Sequence, residues 1–291
     1  MMKNASTRVA PGGVMHAMNG LRIIGLLALI LCAGCGGKSA EADSDRDVLV
    51  VGMDPTYPPF EMRDRSGELS GVSVDLGRAL GEHLGRQVEF RAIDFQGLIP
   101  ALKSGKVDVI ISSMTRTDER AKSVLFSEPY VANGLCLLVS TDSSVNDIAD
   151  LNQAGRKVVV RTGTTGHIYA REALGNAELL PQELVETCVA EVRNGNVDAF
   201  VYDQLSVLTY AEKYPDKLKA LPKPFQIEYW SIAMAPGDDA LKSEVDAFLA
   251  EWQSSGGPDE AIAKYPELSR RAGQMKQSGQ AFLFDVNAQR E

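Results

Sequence analysis

Ser112-Ser113-Met114-Thr115-Arg116-Thr117-Asp118-Glu119-Arg120 brings hydroxyl donors, a helix start and an arginine into one short stretch. Val107 to Ile111, just before it, is a β-branched run and predicts a buried strand. Thr117, followed by Asp118 and Glu119, predicts a helix start, because acids are favoured in a first turn. Donors, a helix N-terminus and a guanidinium would then meet at the carboxyl end of one strand. Arginine offers a planar two-pronged donor, so a small carboxylate is the anion this grouping suits. The stretch alone also fits a plain strand-to-helix turn with an exposed arginine, and both readings stand at this point.

A second polar tip mirrors the first. Gly105-Lys-Val-Asp108-Val-Ile-Ile-Ser-Ser113 and Gly195-Asn-Val-Asp198-Ala-Phe-Val-Tyr-Asp203 share one pattern: Gly-x-Val-Asp, an apolar strand, then a polar end. Ser113 and Asp203 hold equivalent places in the two copies. With the copies facing each other, hydroxyls and an arginine oppose a carboxylate. A zwitterionic α-amino acid fits that polarity, since each buried charge finds an opposite partner. Asp203 also reads as the N-cap of a helix from Gln204 to Ala211.

The elements that must hold these tips alternate along the chain. Strands are predicted at Val48–Met53, Val88–Ile93 and Val107–Ile111, with helices at Val74–Leu84 and Gln96–Lys103 between them. A strand at Lys157–Arg161 leads into Thr162-Gly163-Thr164-Thr165-Gly166 and a helix through Ala173; a helix at Val189–Asn194 precedes a strand at Val197–Tyr202. Strands separated by helices predict βαβ units, a mainly parallel sheet and an α/β fold in two lobes of similar logic. In such sheets ligands lie beyond the carboxyl ends of the strands.

Composition narrows the classes of function. The 291 residues carry 44% hydrophobic and 24% charged residues and a net charge of −9. Beyond residue 34 the count is 27 basic against 39 acidic, which argues against a nucleic-acid surface. His16, His83 and His167 are scattered, no HExxH spacing occurs, and no CxxC occurs beyond residue 35, so no metal site and no cofactor are expected.

Residues 1–34 read as an export signal: an apolar run from Leu21 to Cys32, too short to span a bilayer comfortably, preceded by basic residues. The run ends in Cys32-Ala33-Gly34-Cys35, which resembles a bacterial lipobox with Cys35 as the lipidated residue; Cys32 stands where the usual leucine would be. Small, polar residues 35–46 read as a flexible tether. Cys136 and Cys188 read as two buried free thiols, Cys188 at the start of a helix.

A series of ordered motifs now points to one family. Gly52-Met-Asp54-Pro-Thr-Tyr57-Pro-Pro-Phe60-Glu61, Gly71-x-x-x-Asp75-Leu, Phe95-x-x-Leu98-Ile99-Pro100, Ser112-Ser113-Met-Thr115-x-Thr117-x-Glu119-Arg120, Phe126-Ser127-x-Pro129-Tyr130, Thr162-Gly163-Thr164-Thr165 and Val197-Asp198-Ala199-x-x-x-Asp203 together resemble family 3 of the bacterial extracellular solute-binding proteins. The resemblance spans about residues 47 to 265, and the polar amino-acid receptors of ABC importers belong to that family. It implies a two-lobe periplasmic-binding-protein type II fold with two hinge crossings, near Val131–Gly134 and, after Pro222-x-Pro224, near Gln226–Trp230. Lobe 1 would comprise 47–131 plus 232–291, and lobe 2 would comprise 136–225.

The resemblance also implies roles. Ser112, Ser113, Thr115 and Arg120, with Thr164 and Thr165, would surround an α-carboxylate; Ser113 and Asp203 would hold an α-ammonium. Tyr57 and Phe95 would flank the ligand's aliphatic part, although core packing is an equally simple use of Phe95. Asp54 and Arg161 would read its side chain, and a facing acid and base fit an amide such as glutamine's. The partners implied are a polar amino acid and an ABC-transporter permease, with no nucleic acid. The location implied is the periplasm or cell envelope, with an anchor through Cys35 and a monomeric chain. The alternative on the same fold is a cyclohexadienyl dehydratase-like enzyme, with Glu61 or Asp54 as its acid.

Overall fold

A computed structural model describes residues 47–277 and 284. The predicted export signal, Cys35 and the 35–46 tether lie outside the described residues. The parallel core of the first half is β1 (Val48–Met53), with β2 (Met62–Arg63) and β3 (Leu69–Ser70) forming a small hairpin before α1 (Val72–His83). Then follow β4 (Gln87–Ala92), α2 (Phe95–Lys103), β5 (Val109–Ile110) and the short α3 (Asp118–Ala121). β1 pairs in parallel with β4 on one side and β5 on the other, as alternating strands and helices require.

Two long strands then carry the chain between the halves. β6 (Leu125–Ser140) leads into β7 (Lys157–Arg161), α4 (Thr165–Ala173), β8 (Glu178–Gln182), α5 (Val185–Arg193), β9 (Ala199–Asp203) and α6 (Gln204–Lys213). β10 (Leu218–Met234) returns antiparallel along β6, from Leu218 opposite Ser140 to Met234 opposite Leu125. The sheet order is β4-β1-β5-β10-β6-β9-β7-β8. The two predicted crossings lie side by side, with Ile227 opposite Gly134, Glu228 opposite Asn133 and Trp230 opposite Val131. Pro222-x-Pro224 does not end the strand. The register slips between Leu221 and Gln226 instead, which accommodates residues that cannot donate to a ladder.

The Gly-x-Val-Asp repeat has the same job in both halves. Asp108 accepts the Val50 N–H at 2.7 Å, and its own N–H reaches Val50 O at 2.8 Å. Asp198 accepts the Lys157 N–H at 2.8 Å and donates its own to Lys157 O at 2.8 Å. Each aspartate thus locks a strand to its parallel neighbour just before the polar tip. Gly166 lets α4 sit directly on β9, since a Cβ there would lie 2.6 Å from Val201 O.

Three helices close the first half: α7 (Asp239–Ser254), α8 (Gly257–Lys264) and α9 (Pro266–Gln277). Trp230 is fully buried, edge-on to Tyr57 at 5.4 Å and to Phe60 at 5.0 Å. Phe284 from the tail packs near Phe60 and Trp252. One expectation needs correction, and one strand goes beyond what was expected. α5 begins at Val185, not Val189, because Val185, Cys188, Val189 and Val192 share its buried face; Cys188 is therefore mid-helix. β8, a short strand interrupted by Pro181, carries too weak a pattern to be read. Cys136 and Cys188 are both free and buried.

Candidate functional site

The strand ends meet where the sheet halves join. Asp54 follows β1 and is buried; its N–H donates to Ser112 Oγ at 2.9 Å, which fixes the end of β1 against the end of β5. Ser113 adopts φ 47°, a left-handed conformation uncommon outside glycine and often retained at working sites. Its hydroxyl donates to Glu61 Oε2 at 3.1 Å, and Ser73 Oγ donates to the same oxygen at 2.6 Å. Burial pushes the Glu61 carboxyl up to about 8 against these two donors.

Thr115 bridges to Trp230 and the Arg116 N–H reaches Tyr229 O, so this loop is stitched onto β10. Thr117 caps α3 by accepting the Arg120 N–H at 3.2 Å. That turn aims Arg120 inward. Its guanidinium donates to Thr115 O at 2.7 Å and, across to the second half, to Gly163 O at 3.0 Å. Gly163 presents that carbonyl from φ 79°, a backbone region that glycine enters without strain. The Arg120 guanidinium lies 5.4 Å from the Phe95 ring centre, and that of Arg161 lies 5.7 Å from it.

The second half supplies the facing groups. Arg161, at the end of β7, is buried and pairs directly with Asp54. It also donates to Tyr202 Oη at 3.3 Å and to Glu183 O at 3.1 Å. Thr164 is the cap of α4, accepting the His167 N–H. The adjacent Thr165 hydroxyl donates instead to Glu228 Oε2 at 2.8 Å. Asp203 stands at the N-cap position of α6, but its side chain makes no cap bond; it accepts from Asn133 Nδ2 at 2.8 Å. Burial, then the nearby Glu228, raises its pKa, while Arg161 and Arg120 oppose the rise.

All eleven predicted ligand-binding residues, Asp54, Tyr57, Phe95, Ser112, Ser113, Thr115, Arg120, Arg161, Thr164, Thr165 and Asp203, line one pocket, together with Glu61 and Tyr202. The free space among them is about 20 Å³, room for about one water, and the two sides are drawn together by Arg120 on Gly163 O and by the Asp54–Arg161 pair. One expectation changes here. Asp54 and Arg161 satisfy each other and no longer face outward as a matched acid and base, which removes the argument for an amide side chain. Glu228 was missed. Its signal in the sequence was a lone acid inside the apolar second crossing.

The family profile of the bacterial extracellular solute-binding proteins, family 3, matches residues 49–267. The chain belongs to that family. This solute-binding protein is 29% identical over 242 residues to the L-cystine-binding protein of Escherichia coli (strain K12), covering 80% of this chain and 90% of that one. It is 35% identical over 225 residues to the L-arginine-binding protein of Pseudomonas aeruginosa, covering 74% and 86%. Among solved structures, an ancestral amino acid-binding protein described as a precursor of cyclohexadienyl dehydratase superposes with a TM-score of 0.70 at 34% identity. The match covers 76% of this chain and 96% of that one. The fold is the two-lobe periplasmic-binding-protein type II fold with two crossings.

Proposed function

We propose that this extracellular solute-binding protein captures a polar α-amino acid between its lobes and presents it to the membrane permease of an ABC transporter. The observation that carries the reading is the convergence, in one closed pocket, of Thr115 and Arg120 from one side with Thr165 and Asp203 from the other. Thr115, Arg120, Ser113 and the helix start at Thr165 hold the α-carboxylate, since amide, hydroxyl and guanidinium donors together suit that anion. Asp203 and Ser113 hold the α-ammonium. Tyr57 and Phe95 flank the rest of the ligand. The names of the cystine- and arginine-binding relatives support an amino-acid ligand.

The lobes are 47–131 with 232–291, and 136–225, turning about the paired crossings of β6 and β10. Ligand contacts both lobes at once only in the closed form, so it draws the population there, and that form is what the permease recognises. The chain acts as a monomer, exported and anchored through a lipidated Cys35. Thermal-shift measurements against the twenty common amino acids test the reading. A true ligand at a hundred times its dissociation constant adds about 2.7 kcal/mol; no shift with any amino acid would reject it.

A second reading has one observation in its favour. Glu61 sits in the pocket with its carboxyl pushed up to about 8, so it holds a proton at neutral pH as a general acid would. Asp54, tied to Arg161, is unsuited to that role. Incubation with prephenate or arogenate, watched for an aromatic product, separates a dehydratase from a receptor.

A further inference from the structure

Glu228 stands in β10 at the second crossing, 2% exposed, with both carboxylate oxygens engaged. Oε2 accepts from Thr115 Oγ1 at 2.9 Å and from Thr165 Oγ1 at 2.8 Å; Oε1 accepts from Gln226 Nε2 at 2.8 Å. The two hydroxyls come from opposite sides of the cleft, and both belong to the donors that the proposed function gathers around a ligand's α-carboxylate: Thr115 directly, and Thr165 at the helix start. The protein thus carries its own carboxylate in that seat.

The surroundings set what happens when a second carboxylate arrives. Arg120, from α3, favours charge on Glu228, and Thr165, Thr115 and Gln226 donate to it; burial works against that charge and prevails. Asp203, at the end of β9, is a further acid close enough to be pushed upward by Glu228. Arg161 is taken up by Asp54. Arg120 therefore faces both Glu228 and an incoming carboxylate, while Asp203 draws on Arg161 and Arg120 together. Adjacent carboxylates in a site closed to water cannot all stay ionised.

We propose that Glu228 is a specificity-determining residue: a ligand carboxylate takes its place on Thr115 and Thr165 only as Glu228 accepts a proton from solvent, so capture of a carboxylate-bearing ligand is coupled to uptake of one proton. No covalent bond changes; one proton moves from water to a Glu228 oxygen as the ligand enters. A ligand with the same side chain and ammonium but no carboxylate leaves Glu228 on its hydroxyls and takes up no proton there. The inference rests on the reading in which these hydroxyls hold an α-carboxylate.

The test is calorimetry of the full chain at pH 6 to 8, in phosphate and in Tris, whose ionisation enthalpies differ. The probes are L-arginine against agmatine, and L-glutamine against 4-aminobutanamide, each pair differing only by the carboxylate. The amines report whatever protons Glu61 and Asp203 exchange on meeting an ammonium, and subtracting them isolates the carboxylate. The expected difference approaches one proton taken up per amino acid at pH 8, with affinity weakening up to about tenfold per pH unit relative to the amine. Glu228→Gln, of the same size, should abolish that difference and flatten the pH dependence. The comparison of acid with amine in the unaltered protein needs no variant. Equal proton counts for amino acid and amine, or an unchanged count in Glu228→Gln, would overturn the inference while leaving the function standing. Where neither amino acid binds, the one found by thermal shift and its decarboxylated amine take their place, and no shift with any amino acid would remove the carboxylate reading and the inference with it.

Discussion

Replacing Arg161 by methionine should open the cleft before it unfolds the protein. In the closed form Arg161 is the one guanidinium paired with Asp54. Without it, the buried Asp54 carboxylate keeps Thr56 Oγ1 at 2.9 Å and the Phe95 N–H at 3.1 Å as its remaining donors. In a rigid interior, removing one partner of such a pair costs about 3–5 kcal/mol. Here Asp54 and Arg161 come from opposite halves of the molecule, so separating the halves readmits water and caps the cost at the gap between open and closed forms, about 1.4 kcal/mol for an open form populated at roughly 10%. For a domain of roughly 230 residues, 1 kcal/mol moves the melting temperature by about 2–4 °C. The full rigid-site penalty would lower it by on the order of 10 °C. The expected result is a fall of less than about 6 °C, with a larger radius of gyration in small-angle X-ray scattering. The double variant Asp54→Asn, Arg161→Met should recover part of the closure, because no lone charge is left behind. A fall beyond about 10 °C with unchanged scattering would show the pair to be internal to one rigid body, and the reasoning would be wrong.

Arg120→Ala should weaken binding of the cognate amino acid by about 100- to 1,000-fold in calorimetry, since a desolvated carboxylate loses its charged donor; Arg120→Lys should recover only part, for want of the second prong. An unchanged dissociation constant would remove Arg120 from the site. Glu61→Gln should change how stability depends on pH. The Glu61 carboxyl is raised to about 8 by burial, so between roughly pH 4.5 and 8 the folded form holds a proton that the unfolded chain has lost. Stability then falls with rising pH by up to about 1.4 kcal/mol per unit across that window, and denaturant titrations of Glu61→Gln should lack this part of the fall. Mass spectrometry of the natively produced protein should find a lipidated Cys35 at the mature terminus; an unmodified terminus elsewhere would leave export intact and reject the anchor.

Much of the site was legible because its parts are local. Ser112 to Arg120 is a strand end, a loop and a capped turn in unbroken sequence, and so is Thr162 to Gly166. The repeat through Asp108 and Asp198 gave the two halves and put Ser113 and Asp203 at equivalent tips. What could not be read were pairings between groups distant in sequence. Nothing in one dimension shows that Asp54 and Arg161 neutralise each other, because that depends on how two separately built sheets meet. Glu228 escaped for a related reason. Its strand is buried by a partner strand nearly a hundred positions earlier, and a single acid in an apolar run carries no periodic signal. The late start assigned to α5 reflects a buried face that appears only when Val185 and Cys188 are seen on one side of a helix.

The return path of β10 has a consequence for how the chain folds. The strands β7, β8 and β9 lie in one continuous stretch and complete their parallel pairings among themselves. β5 instead pairs with β10 through Ile110 and Ala233, and the helices that cover the first half come after that. Closing such a long loop costs more entropy and takes longer than joining neighbours. The second half can therefore assemble as soon as its own residues are available. The first half stays incomplete, with the edge of β5 exposed, until nearly the whole chain is present.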